Sequence, residues 1–311
     1  MMVIFASLRP LERSENIKAV WDAYKGKKIF VRSNKMEGQK ILRTEKVDCV
    51  VTDEYISQSA SPIIMIFHGI AGGKTYGLDQ PRPYHSKQDV DNYLYFVTSS
   101  EQMVDFTAEQ CGCPTNKVLP LGMPRTDQYF QDLKRDPKFL PEDKRIYLYC
   151  PTFNTTTEKR TDWHKIDEML GENEIFVIKN HMITGDPHIS GDNHLKRVKI
   201  VSCNFQSAPF LKGCDVLITD YSSIMFDGML LDKPVVLYEK DYEVYKQTRG
   251  MYFNYPAGYS GRHVRTEWDL IGMLRNAKEP DGICMKNKEY LAGACDGHAT
   301  ERLVKLVKDI S

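Results

Sequence analysis

Short apolar runs alternate with amphipathic segments along the whole chain. The apolar runs are rich in β-branched residues, which is typical of strands buried on both faces of a parallel sheet. Such strands are predicted at residues 3–6, 28–31, 48–52, 62–67, 94–98, 118–121, 146–150, 175–179, 198–201, 216–219 and 235–238. The clearest helices are predicted at residues 16–24, 100–110 and 298–310. This alternation favours an α/β fold, with helices on both faces of a parallel sheet.

A polar stretch rich in charge and proline, residues 132–144, interrupts the series and is the predicted linker. We therefore expect two Rossmann-like domains, residues 1–138 and residues 139–297. Tandem domains of this kind would enclose a cleft lined by the carboxyl ends of strands.

Composition narrows the class of protein. The chain has 311 residues, 41% of them hydrophobic and 27% charged, which suits a globular protein with a substantial core. The formal net charge is zero, which argues against bulk nucleic-acid binding. No apolar run approaches the roughly 18 residues of a membrane span, and residues 1–9 do not resemble a secretory signal. The eight cysteines are scattered without a CxxC pair, so we expect reduced thiols, no metal, no cofactor and a cytoplasmic location.

Residues 215–238 predict a strand, a turn, a helix and a second strand. Thr219 and Asp220 end the first strand, and Ser222 and Ser223 are placed to cap the helix. Hydroxyls and free N–H groups at a helix N-terminus favour a bound phosphate. The alternative is an ordinary strand–helix–strand unit with a good N-cap.

His68 follows a strongly apolar strand and opens a long glycine-rich loop. A histidine at the carboxyl end of a strand is a candidate general base, and the alternative is a histidine held by local hydrogen bonds. Gly69 and Lys74 lie in the same loop, where Lys74 is placed to contact an anionic substrate. The loop nearly matches a nucleotide-triphosphate loop, but that motif needs four residues between its glycines and this loop has three between Gly69 and Gly73.

Three further positions are candidates for binding. His181 follows the strand at residues 175–179, as His68 follows its own strand, and suits a diphosphate; the alternative is an ordinary loop histidine. Pro151 and Thr152 begin a polar loop that either lines a cleft or is simply solvated.

Asp296 and Gly297 precede the final helix. Asp296 is expected to cap that helix or to bind a hydroxyl, and capping is the simpler local interpretation.

These landmarks, taken in order, resemble the signatures of the CDP-glycerol glycerophosphotransferases, bacterial enzymes that prime or polymerise teichoic acids and related capsular polymers. The matching segments are His68-Gly69 and residues 122–127, 149–153, 179–181, 215–238 and 296–302. The resemblance spans about residues 60–305. It implies a GT-B fold, with an inter-domain cleft and a last helix, residues 298–311, that packs back toward the first domain.

The resemblance also implies transfer of glycerol phosphate or ribitol phosphate from a CDP-alditol to a hydroxyl of a lipid-linked or glycan acceptor, with release of CMP. It makes His68 the base that accepts the acceptor's proton, and it puts Gly69 and Lys74 on the acceptor side. It assigns the donor to Pro151, Thr152, His181, Thr219, Asp220, Ser222, Ser223, Asp296 and Gly297. Arg125 is expected to be structural, linking its turn to Asp127.

Two positions depart from the family pattern. Ile70 stands in place of a threonine and Met182 in place of a proline. These departures leave open the acceptor and the choice between glycerol and ribitol. A GT-B glycosyltransferase that uses a nucleotide sugar and a non-catalytic binding member remain the alternative functions.

Known members act at the cytoplasmic face of the membrane. Basic runs at residues 25–28 and 196–199 are candidates for peripheral contact with anionic lipid, although such runs more often form solvated faces.

Overall fold

Two parallel sheets form the framework of the chain. The computed structural model describes residues 2–67, 69–70, 75, 78, 90–153, 161–181, 194–252 and 255–310. The first compact unit comprises Met1–Ala71, Tyr76–Gln131 and Glu289–Ser311, and the second comprises Gly72–Thr75 and Asp132–Lys288.

The described part of the chain contains twelve strands and ten α-helices. The strands are β1 (Met2–Ser7), β2 (Lys27–Arg32), β3 (Cys49–Thr52), β4 (Ile63–Ile66), β5 (Tyr93–Val97), β6 (Val118–Leu119), β7 (Arg145–Tyr149), β8 (Glu174–Lys179), β9 (Val198–Val201), β10 (Val216–Thr219), β11 (Val235–Tyr238) and β12 (His263–Val264). The helices are α1 (Glu15–Ala23), α2 (Met36–Thr44), α3 (Val104–Cys111), α4 (Trp163–Met169), α5 (Ala208–Gly213), α6 (Ile224–Leu230), α7 (Tyr242–Arg249), α8 (Glu267–Asn276), α9 (Gly282–Ala292) and α10 (Ala299–Asp309). Short 3₁₀ helices occur at Leu11–Arg13, Glu101–Met103, Thr115–Lys117 and Pro124–Phe130.

The first sheet has the order β2-β1-β3-β4-β5-β6, and its strand pairs are parallel. Its central strands are buried on both faces, which explains their continuous apolar sequence. The final helix covers one face, where Leu303 and Val307 pack with Ile17 and Val20 of α1. The C-terminal residues therefore complete the core of the first unit.

The motif at residues 122–127 packs against the segment before the final helix and caps that helix. Gly122 has a φ of +82°, and a Cβ at this position would come within 2.1 Å of the Ala294 carbonyl oxygen, so only glycine fits. Asp127 accepts hydrogen bonds from the N–H groups of Ala299 at 3.1 Å and Thr300 at 2.7 Å. Asp127 therefore satisfies the first turn of α10.

The prediction that Asp296 caps the final helix is wrong. Asp296 accepts a hydrogen bond from the N–H of His298 at 3.1 Å, and its carboxylate pairs with the Arg302 guanidinium at 2.8 Å. The local sequence suggested the nearer aspartate, whereas the fold supplies Asp127 from a distant segment. Arg125 makes an ion pair with Glu15, at 3.8 Å, and its predicted link to Asp127 stays a prediction.

We expect Asp127→Ala to destabilise the first unit by about 2 kcal/mol, because it removes a nearly buried cap from two helix N–H groups. Asp296→Ala is the matched control and should cost less than about 1 kcal/mol, since its ion pair is solvent-exposed. Thermal melts of both variants check this. An equal loss in the two variants would contradict the assignment of the cap.

The second sheet has the order β12-β11-β10-β7-β8-β9, and its strand pairs are also parallel. Counted along this unit, the order is 6-5-4-1-2-3, which is that of a Rossmann sheet. One face is filled by large aromatic side chains, including Tyr149, Trp163 and Phe176. The topological switch point, where the strand order reverses, therefore lies between β7 and β10.

The stretch predicted as a linker, residues 132–144, contains no helix or strand. It nevertheless packs on the second unit, because Phe139 and Leu140 are buried. The Phe139 ring contacts Phe210, with ring centroids 6.1 Å apart, and Leu140 lies against Gly213. In the part of the chain that the structure describes, no helix is long and apolar enough to cross a bilayer.

Candidate active site

The loops after β7 and β10 meet at the switch point of the second sheet. The two strands are hydrogen-bonded neighbours, and the pairing continues beyond β7, where the Cys150 N–H donates to the Ile218 carbonyl at 2.9 Å. The Thr219 hydroxyl donates to the Cys150 carbonyl at 2.6 Å. In open α/β sheets, ligands bind outside the carboxyl ends of strands at this point.

Asp220 ties the two loops together. One oxygen of its fully buried carboxylate accepts hydrogen bonds from the N–H groups of Thr152 at 2.8 Å and Tyr221 at 2.6 Å. The Tyr255 hydroxyl donates to the Asp220 carbonyl at 2.8 Å. The structure therefore brings together Pro151, Thr152, Thr219 and Asp220, as the sequence suggested, and it gives Asp220 a positioning role.

Ser222 and Ser223 lie at the start of α6, both half-buried. Ser223 occupies the N-cap position but makes no side-chain capping hydrogen bond, and the Ser222 hydroxyl accepts from the Ile224 N–H at 3.4 Å, which is long. The prediction that both serines cap the helix is therefore wrong for Ser223. Its hydroxyl is not used by the helix.

His181 lies beside this cluster, after the neighbouring strand β8. Its ring contacts Phe153, with centroids 5.1 Å apart and planes at 39°. Phe153 follows Pro151 and Thr152 in the loop after β7. The contact joins the candidate histidine to the Asp220-anchored loop.

A tyrosine cluster next to Asp220 was not predicted from the sequence. Tyr221 stacks on Tyr245, with ring centroids 4.0 Å apart, and its hydroxyl donates to Asp241 at 2.8 Å. Burial raises the pKa of Tyr245 to about 12, and the charge of Asp220 acts in the same direction. The only signal in the sequence was the density of tyrosines at residues 238–259.

Two of the predicted donor-binding residues lie in the first unit. Asp296 and Gly297 belong to the first unit, where the Arg302 hydrogen bond lowers the pKa of Asp296. Gly297 has a φ of +94° and packs against Phe130. Both residues thus make local structural contacts, and their role in binding the donor stays a prediction.

His68 and Lys74 lie outside the described residues. The backbone that leads to His68 is nevertheless fixed, because buried Asn16 donates its amide N–H to the Phe67 carbonyl at 2.6 Å. The Asn16 amide oxygen accepts from the Arg125 N–H at 2.8 Å. Gly69 is described and half-buried, and Ile70 is buried.

Glu239, directly after β11, is fully buried. Its carboxylate lies 3.6 Å from Arg265 Nε and 3.7 Å from His263 Nδ1, too far for good hydrogen bonds. Burial raises the pKa of Glu239 from 4.5 to about 7, although Arg265 opposes the shift. The folded protein therefore binds this proton more tightly than the unfolded chain does.

Stability from protonated Glu239 should be fully present below about pH 4.5 and lost as the pH rises through about 7. We expect Glu239→Gln to reduce the loss of stability between pH 5 and pH 8 by about 2 kcal/mol. Urea unfolding at the two pH values checks this, with the exposed Glu279→Gln as control. The same pH dependence in wild type and Glu239→Gln would contradict it.

Among the described residues, no group of three or more histidine, cysteine or acidic side chains is arranged to hold a metal ion. The cluster instead offers backbone N–H groups, serine hydroxyls and an imidazole. These groups suit a phosphorylated ligand. A Rossmann-ordered sheet with such a cluster at its switch point defines an α/β protein of the nucleotide-binding type.

Comparison with known proteins identifies the family. The model of the family described as CDP-Glycerol:Poly(glycerophosphate) glycerophosphotransferase matches residues 2–309. The chain therefore belongs to this family, and the family and enzyme class predicted from the sequence are confirmed.

Curated relatives include primases and polymerases. The chain is 30% identical to the teichoic acid glycerol-phosphate primase of Bacillus spizizenii, over 84% of this chain and 72% of the relative. It is 26% identical to the corresponding primase of Bacillus subtilis, over 84% and 73%. It is 28% identical to the teichoic acid poly(ribitol-phosphate) polymerase of Bacillus spizizenii, over 78% of this chain but only 42% of the relative. The match thus extends over less than half of that polymerase.

Solved structures support the fold class. A structure of the wall teichoic acid polymerase TagF matches with a TM-score of 0.76 at 17% identity, covering 99% of this chain and 89% of that one. The UDP-GlcNAc 2-epimerase of Methanocaldococcus jannaschii matches with a TM-score of 0.65 at 15% identity, covering 99% of both chains. The GT-B-like class, with two parallel-sheet α/β units, is confirmed.

Proposed function

We propose that the protein transfers glycerol phosphate or ribitol phosphate from a CDP-alditol to an acceptor hydroxyl, releasing CMP, in the synthesis of a teichoic acid or capsule-type polymer. The observation that carries the proposal is the Asp220-anchored cluster at the switch point of the second sheet, in a chain that matches the glycerophosphotransferase family over residues 2–309. The names of the relatives, which are glycerol-phosphate primases and ribitol-phosphate polymerases, agree with this class of donor.

The chemistry explains the residue types in the cluster. In phosphoryl transfer the charge spreads over the phosphoryl oxygens, so catalysis is mainly positioning and electrostatic stabilisation. His181 is proposed to donate a hydrogen bond to the donor's diphosphate. The Ser222 and Ser223 hydroxyls are proposed to hold the phosphate that leaves with CMP. Asp220 would keep these loops in register without contacting the reacting atoms.

The proton chemistry is proposed for the first unit. His68 would accept the proton of the acceptor hydroxyl as it attacks the phosphoryl group, and Gly69 and Lys74 would contact the acceptor. The hydrogen bond from Asn16 to the Phe67 carbonyl supports this role, because it fixes the backbone next to His68. Asp296 and Gly297 are proposed to lie near the donor.

A lipid-linked molecule or a glycan is proposed as the acceptor. Its hydroxyl would receive the alditol phosphate, and peripheral contact with the inner membrane face would bring the enzyme to it. A vesicle-flotation assay that compares anionic with neutral lipid tests the membrane contact separately from catalysis.

Release of CMP tests the proposed function. The protein is incubated with CDP-glycerol or CDP-ribitol and with lipid-linked or soluble glycan acceptors. We expect acceptor-dependent CMP with at least one donor. Absence of CMP in every combination, despite donor binding, would identify a non-catalytic member. Thermal stabilisation by UDP- or GDP-sugars but not by CDP-alditols would favour a nucleotide-sugar glycosyltransferase.

A further inference from the structure

At the edge of the candidate site, the side chains of Arg249, Phe153 and His181 lie next to one another in space. The Arg249 guanidinium carbon is 5.7 Å from the centroid of the Phe153 ring, and that ring is 5.1 Å from the ring of His181. Arg249 is the last residue of α7, Phe153 lies in the loop after β7, and His181 is the second residue after β8. Residues far apart in sequence thus bring a positive charge to one point.

The charge of Arg249 is not neutralised by an ion pair with any residue that the structure describes. Arg265 and Arg275 of the same unit do make ion pairs, with Glu239 at 3.6 Å and with Glu174 at 2.9 Å. A guanidinium that stacks on an aromatic face keeps its N–H edge available for bidentate binding of a phosphate. Arg249 therefore has the charge that an anionic ligand requires.

The main chain at Arg249 is held in place. The Thr75 hydroxyl donates to the Arg249 carbonyl, and the Thr75 N–H donates to the Gly250 carbonyl at 3.2 Å. Gly250 has φ +75° and ψ 150°, a conformation restricted to glycine, and a Cβ there would come within 2.7 Å of the Thr75 hydroxyl oxygen. The end of α7 is thus closely defined.

Tyr245 lies one turn before Arg249 on α7. Burial raises the pKa of Tyr245 to about 12, and both Arg249 and Thr152 oppose that shift. Thr152 is in turn held by Asp220 at 2.8 Å. Asp220 therefore anchors the loop that carries Phe153, and the Phe153 ring lies against Arg249.

We propose that Arg249, stacked on Phe153 and adjacent to His181, is a further donor-binding residue that binds the diphosphate of the nucleotide donor. The inference rests on the proposed function, because it concerns the same donor. It adds a positive charge to the site, and it gives Phe153 the role of a platform.

The test is calorimetric titration of CDP, CMP and cytidine into wild type, Arg249→Gln, Arg249→Lys and Lys246→Gln. Lys246 is the matched control, because it lies on the same helix and its ammonium stacks on Tyr242 at 5.7 Å. We expect Arg249→Gln to weaken CDP binding by about 10- to 100-fold, as for a lost charge-assisted hydrogen bond. CMP should lose less affinity and cytidine none, because they carry less negative charge.

Arg249→Lys should recover part of the CDP affinity, since it keeps the charge but loses the planar fork. Lys246→Gln should change CDP affinity by less than about two-fold, because a solvent-exposed charge outside the site contributes little. Phe153→Leu provides an independent variant: it keeps the charge and removes the platform, so CDP affinity should fall while cytidine binding does not. Thermal melts confirm that each variant is folded.

Unchanged CDP affinity in Arg249→Gln and Phe153→Leu, with wild type binding CDP, would overturn the inference and leave the proposed function standing. An equal loss in Lys246→Gln would also overturn it, because the effect would then be one of net charge. Failure of wild type to bind CDP or any CDP-alditol would overturn the inference and the proposed function together.

Discussion

Replacing His68 by alanine is expected to lower the rate of CMP release by about 10²- to 10⁴-fold, the range for loss of a general base. Donor affinity should change by less than about two-fold, because the proposed diphosphate-binding residues lie in loops of the other unit, around Asp220. Steady-state CMP release and calorimetric binding of CDP measure the two quantities.

The control for His68 is His164→Ala, which removes an exposed histidine from α4 and should leave both quantities unchanged. The pH–rate profile adds a readout that a structural role would not affect. The acidic limb that reports deprotonation of the base should be present in wild type and absent in His68→Ala. Undiminished turnover in His68→Ala, or a parallel loss of donor affinity, would remove His68 as the base.

The buried strands were predictable because each is a short β-branched run enclosed on both faces. The runs at residues 198–201, 216–219 and 235–238 coincide with β9, β10 and β11. Helix α2 was missed, in part because Gly38 weakens its helical signal. The structure requires that glycine, since a Cβ would come within 2.1 Å of the Arg32 carbonyl oxygen. Edge strand β12 has two residues, too few to give a periodic pattern.

The candidate site was predictable where its residues directly follow strands. Thr219 ends β10, Asp220 follows it, and Thr152 lies in the loop after β7. The carboxyl ends of neighbouring parallel strands lie at the same edge of the sheet. Contacts between distant segments left no local pattern. Arg249 lies on a helix with ordinary polar composition, and its partner ring is at Phe153. The capping of α10 by Asp127 was hidden for the same reason.

Asp220→Ala is expected to destabilise the second unit by about 3 kcal/mol or more. The carboxylate is fully buried, and its loss leaves the N–H groups of Thr152 and Tyr221 without their acceptor in the interior. CDP affinity should fall at least about ten-fold, because the loop that carries Thr152 and Phe153 loses its anchor. Thermal melts and calorimetry measure the two effects.

Asp220→Asn separates the anchor from the charge. An asparagine oxygen still accepts both N–H bonds, so this variant should recover most of the stability and CDP affinity. The recovery should be incomplete, because hydrogen bonds to a neutral amide are weaker than those to a carboxylate.

Asp215→Ala is the control at the opposite end of β10. Its exposed carboxylate accepts the Ile146 N–H at 2.6 Å, so its loss should cost some stability without changing CDP affinity. If Asp220→Ala lost stability but bound CDP as wild type does, the anchored loop would not be part of the donor site. If Asp220→Asn failed as severely as Asp220→Ala, the negative charge itself, and not the hydrogen bonds, would hold the loops together.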